Sequence, residues 1–114
     1  MYHAATIEDV RQKIADESIA IVYISMPNCS VCVSVKPQLV QRFDTKVPII
    51  HADAAEIPEV AGEFQVLTAP AVLLYVDQKE VHREARFIDF HKLEELVENY
   101  SNISGTVDYD ELFK

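Results

Sequence analysis

The hydrophobic pattern predicts a single α/β domain. Two short, β-branched apolar runs, residues 19–24 and 71–76, read as strands buried on both faces. Around them lie stretches whose apolar residues recur at helical spacing, and a length of 114 residues fits one core and no second. The elements follow in the order α, β, α, β, α, β, β, α, with about four strands.

Thr6 followed by Asp9 makes a helix start, and Ile7, Val10 and Ile14 then form one face, so the first helix is expected over residues 7–16. The run 19–24 is the expected central strand. Residues 26–28 break it, and a second helix is expected over 29–43, with Val35, Leu39, Val40 and Phe43 on one side and Pro37 inside. A strand over 47–52 is demoted to the sheet edge by Pro48. A brief helical stretch over 53–63 opens near Pro58 and closes at Gly62. After a link over 64–68, the second buried strand pairs through a turn at 77–80 with a strand over 81–86. Asp89 caps a last helix with Leu93, Leu96, Val97 and Tyr100 inward. The domain is expected over 1–100, with an acidic tail over 101–114.

Composition removes several function classes. Ten basic residues against nineteen acidic ones leave a net charge of -9, which repels phosphate backbones, so no nucleic-acid partner is expected. No apolar stretch approaches the roughly 18 residues of a membrane helix, and the N-terminus carries no charged-then-apolar leader. The expectation is a cytoplasmic protein without a membrane partner.

Cys29 and Cys32 are the only cysteines. They sit where a strand ends and a helix starts, where unpaired N–H groups and the positive end of the helix dipole stabilise a thiolate. Cys29 is therefore the expected nucleophile. Cys32, one turn further in, is placed to close a disulfide with it or to resolve a mixed disulfide formed there. Residues 18–43 contain no acid but include Lys36 and Arg42, which favours the thiolate further. A structural zinc site needs four ligands, and no second Cys-x-x-Cys or His-x-x-x-His is present. His3, His51, His82 and His91 are scattered over separate elements, and no site is assigned to them. No metal or cofactor is expected.

Taken together, the apolar strand, Cys29-Ser30-Val31-Cys32, Pro37 five residues later, and Phe64-Gln65-Val66-Leu67-Thr68-Ala69-Pro70 before the next apolar strand resemble the thioredoxin family. The resemblance covers residues 6–100. It implies a thioredoxin fold with a central mixed sheet flanked by helices, a kink at Pro37, and a cis Ala69–Pro70 bond packed against the cysteine pair. It also implies that Thr68 and Ala69, beside Pro70, offer backbone to an extended substrate segment, with Asn28 and Arg86 lining the same groove.

The chain departs from the family at several positions. Asn28 stands for a tryptophan, and Ser30-Val31 for Gly-Pro. Tyr23 stands where the family often has a buried aspartate that takes a proton from the second cysteine, and Ile49 where it has a nearby lysine, so slower resolution is expected. Arg86 replaces a small glycine. The family's first strand is missing, which would leave residues 47–52 as an edge covered by the tail or by a second subunit. The expected function is thiol–disulfide oxidoreduction, reducing protein disulfides by a dithiol cycle, with a reductase or small dithiol restoring the pair, as a monomer or a homodimer. The alternatives are a binding module of the same fold, or a thiol redox sensor, with little turnover.

Overall fold

Thr6 caps the first long helix: its backbone is extended and its hydroxyl accepts from the Asp9 N–H at 3.1 Å. The structure, a computed structural model, describes residues 1–26, 30–43, 46–66 and 68–105, the side chains of 30–32 and 101–105 excepted. In chain order the elements are β1 (Tyr2–His3), α1 (Ile7–Asp16), β2 (Ile19–Ser25), α2 (Ser30–Phe43), β3 (Ile49–Asp53), α3 (Glu59–Glu63), β4 (Ala71–Val76), β5 (Lys79–Ala85) and α4 (Phe90–Gly105). The five strands form one mixed sheet in the order β1-β3-β2-β4-β5. β1 and β2 run parallel to β3 on its two sides, while β4 is antiparallel to both β2 and β5.

Period-2 alternation sends neighbouring residues of each strand to opposite faces, and both faces are covered. Ala20, Val22 and Ile24 of β2, Ile50 and Ala52 of β3, and Leu73 of β4 pack under Ile7, Val10 and Ile14 of α1 and Val60 of α3. Ile21 and Tyr23 of β2, Ile49 of β3, and Val72 and Leu74 of β4 pack against Val35, Leu39 and Phe43 of α2 and Leu93 and Val97 of α4.

The structure corrects several expectations. The first strand is present: β1 pairs Tyr2 with Ile50 and His3 with His51, and the Ala4 N–H donates to the His51 carbonyl at 2.9 Å. Two residues carry no periodicity, so only the side-chain partners of Tyr2 and His3 mark the strand. The sheet consequently has five strands, and β3 lies inside it. Pro48 precedes β3, where its missing N–H costs nothing and its carbonyl accepts from the Ile21 N–H at 2.9 Å. The edge that would have called for the tail or a second subunit is covered by β1. The hairpin turn is shorter than expected: Asp77 and Gln78, both at positive φ (51° and 68°), form it alone, and β5 begins at Lys79. Helix α3 is confined to five residues with Pro58 as its N-cap and Gly62 within it. Asp89 accepts from the Lys92 N–H at 3.1 Å, and α4 continues past Tyr100 to Gly105. Residues 106–114 lie outside the described residues.

Candidate functional site

β2 delivers the chain to Ser25, and α2 opens at Ser30 with Cys32 in its first turn. Asn28 and Cys29 lie outside the described residues, and Cys32 is described in its backbone only. Because β2 and β3 are parallel neighbours joined by α2, the helix must run back antiparallel to them across one sheet face. Its buried stripe of Val35, Leu39 and Phe43 identifies that face, and position 32 falls one turn before Val35, toward the Ser25 end. Pro37 is inside the helix.

A second loop approaches from β4. Thr68 is exposed, Ala69 half-buried and Pro70 buried, and the Ala69–Pro70 peptide is cis. Ala69 packs against the same apolar cluster that holds Val35 and Leu39 of α2. The Pro70 carbonyl accepts from the Arg86 N–H at 2.6 Å, and the Phe87 N–H donates back to the Ala85 carbonyl at 2.8 Å. That bond closes a three-residue turn with Arg86 at its centre at φ 73°, a conformation unfavourable for any residue but glycine. The turn carries an exposed Arg86 beside Phe87, which is 81% exposed, with the guanidinium 5.8 Å from the ring centre. Arg11, Arg42 and Arg83 each meet a glutamate, at 2.6, 3.0 and 2.6 Å. Arg86 alone among the four arginines has no carboxylate partner among the described residues.

Thr68, Ala69, Pro70 and Arg86 are thus brought to one place, and Ala69 ties that place to the α2 core. Tyr23, in the middle of β2, is 1% exposed. Burial, aided by the charge of Asp53, pushes its phenol up to about 12, so it keeps its proton at any physiological pH. Among the described residues no group of three or more His, Cys, Asp or Glu side chains is arranged to hold a metal ion. No described helix is long and apolar enough to cross a membrane.

The sequence reading missed one constellation. Among the described residues His51 and Ser25 are the buried polar ones of the core, at 7% and 8% exposure, and they meet: Ser25 Oγ lies 2.8 Å from His51 Nε2. His51 Nδ1 is 3.1 Å from His3 Nδ1, and His3 Nε2 is 2.8 Å from Glu56 Oε1. Tyr23 stacks on the His51 ring at 5.0 Å. Burial first, then the charges of His3 and Lys36, hold the His51 imidazole below its usual pKa. The available signal was the polar alternation of His51 and Asp53 in a strand whose other residues are apolar; the partner at position 3 lies 48 residues away and left none.

Comparison with known proteins agrees with this architecture. The sequence pattern of the thioredoxin family matches residues 2–102, and the chain belongs to that family. It is 38% identical over 92 residues to the thioredoxin-like protein YdfQ of Bacillus subtilis strain 168, covering 79% of this chain and 82% of that one. Its fold is similar to that of the Plasmodium falciparum thioredoxin (TM-score 0.77, 20% identity, 88% of this chain and 99% of that one). The Fasciola hepatica thioredoxin is similar in the same way, with a TM-score of 0.75 at 23% identity over 88% and 99% of the two chains. The chain is a thioredoxin-like redox protein.

Proposed function

We propose that this protein is a thiol–disulfide oxidoreductase that reduces protein disulfides through Cys29 and Cys32. The observation that carries the reading is that β2 ends at Ser25 and α2 opens at Ser30, the junction the Cys-x-x-Cys of the sequence spans, while Ala69 of the proline loop packs against the same apolar cluster as Val35 and Leu39 of α2. Cys29, as thiolate, attacks one sulfur of the substrate disulfide and releases the other as a thiolate, which takes a proton. Cys32 then attacks Cys29, and the substrate leaves fully reduced while the pair is left oxidised. A cytoplasmic reductase or small dithiol restores it. The backbone of Thr68 and Ala69 receives an extended substrate segment, and Arg86, which meets no carboxylate among the described residues, favours segments bearing a carboxylate in a chain of net charge -9.

A Cys32→Ser variant tests the reading. It should accumulate mixed disulfides through Cys29 with protein substrates, and Cys29→Ser should form none and reduce no protein disulfide. Equal trapping by the two variants, or turnover that survives Cys29→Ser, would overturn it.

A further inference from the structure

Hydrogen bonding runs unbroken from the interior to water across three adjacent strands, through Ser25, His51, His3 and Glu56. Its inner end is buried; at its outer end the side chains of His3 and Glu56 are 51% and 54% exposed. The carboxylate assigns the protons, because an ionised Glu56 only accepts. His3 Nε2–H then donates to Glu56, the His3 Nδ1 of the neutral ring accepts from His51 Nδ1–H, and His51 Nε2 is left to accept from the Ser25 hydroxyl. Every donor points outward, which is the arrangement that passes a proton along a chain by successive small shifts.

The buried end lies where a proton has to be disposed of. Ser25 is the last residue of β2 and the chain reaches Cys29 four residues later. Helix α2 returns over the same sheet face, bringing position 32 back toward Ser25. Lys36, one turn beyond Cys32, is near enough for its charge to be felt at His51. The groups that face His51 are Tyr23 and Ser25 from β2, His3 from β1, Asp53 from its own strand, Glu56 from the following turn and Lys36 from α2. Tyr23 holds its proton to about pH 12 and cannot accept another as a phenol. His51, kept neutral by its burial, is the group left whose inward nitrogen accepts, and it does so from the Ser25 hydroxyl.

We propose that Ser25, His51, His3 and Glu56 form the proton exit for the Cys32 thiol during resolution. The inference rests on the dithiol reading of Cys29 and Cys32. In the step, the Cys32 S–H bond breaks and its proton enters the chain at Ser25 and His51. A proton leaves toward water at Glu56. The Cys32 sulfur forms its bond to Cys29 as the bond from Cys29 to the substrate sulfur breaks, and the departing thiolate carries the electron pair. Neither Ser25 nor His51 bonds to sulfur, so their part is to receive and conduct the proton.

Reaction of the reduced protein with an aromatic disulfide whose thiolate is coloured separates the two steps. The first release of colour is attack by Cys29, and the second is displacement by Cys32. His51→Asn, which keeps a hydrogen-bonding amide but does not titrate, should leave the first phase unchanged. It should slow the second about 10²-fold at pH 7, the usual scale for losing a general base. The wild-type second phase should fall as acid protonates His51. In His51→Asn that inflection should vanish and the rate should follow thiol ionisation alone. Added imidazole should restore the second phase of His51→Ala, which a purely structural role would not allow. Glu56→Gln, at the exposed end of the chain of hydrogen bonds, should also slow the second phase. If the first phase is present but the second keeps its rate and pH profile in His51→Asn or Glu56→Gln, the relay is wrong and the dithiol reading stands. A wild-type protein with no first phase would sink both.

Discussion

The two faces of the sheet are built from the same strands yet differ in kind. The face under α1 and α3 is filled by apolar residues such as Val22, Ile24, Ile50 and Leu73. The face under α2 and α4 is equally buried, but along β2 and β3 it admits Tyr23, Ser25 and His51. Burying polar groups costs free energy unless each is hydrogen-bonded, and no buried side-chain nitrogen or oxygen among the described residues lacks a partner. Both faces hold a buried apolar cluster, but the second accepts a more demanding composition beneath the helix that carries Cys32.

The sharpest way to break this contrast is to damage the apolar face. Leu73→Ala, at a fully buried position, should cost about 2–5 kcal/mol of stability in denaturant melts. The rate at which the folded fraction exchanges thiols should be unaffected. A large change in Cys29 reactivity would mean that the two faces are not separable.

A smaller effect is expected at the turn beside Pro70. Arg86→Gly relieves a side chain held at φ 73° and should raise stability by about 1 kcal/mol, net of the added freedom of the unfolded chain. The same variant should lose activity several-fold on disulfides flanked by aspartate or glutamate and little on neutral ones. Stability gained with unchanged substrate preference would reduce Arg86 to a strained surface residue.

The smallest effect should come from pH. His51 is held below its usual pKa in the folded protein, so the unfolded chain binds its proton first. Stability should be complete above the usual histidine pKa of about 6.5 and should decline as pH falls from there toward the lower value in the fold. Asp9, Glu63 and Glu80 are displaced downward by Tyr2, Arg11 and Arg83 respectively, so what they contribute is lost only in stronger acid, below the usual carboxylate range. Melting temperatures measured between pH 7.5 and 5.5 should therefore fall in the wild type and stay flatter in His51→Asn. Parallel curves would show that the ring is protonated without consequence.

Local pattern determined a great deal here. Ile7, Val10 and Ile14 at helical spacing, the cap at Thr6, and the apolar runs of β2 and β4 encode their own conformations, because side-chain periodicity and burial act within a few residues. The proline loop was legible for the same reason, since the cis Ala69–Pro70 bond belongs to a short motif set by its immediate neighbours. Tertiary structure alone decided where β1 goes and what His3 and His51 do. A two-residue strand has no period to read, and its pairing with Ile50 and His51 comes from contacts nearly fifty residues apart. It also decided that Pro48 precedes an interior strand, as the parallel neighbour β1 covers the side of β3 that would otherwise be an edge. Whether a histidine is a surface residue or part of a buried chain depends on what lies across the sheet from it, and that is fixed only when the strands are side by side.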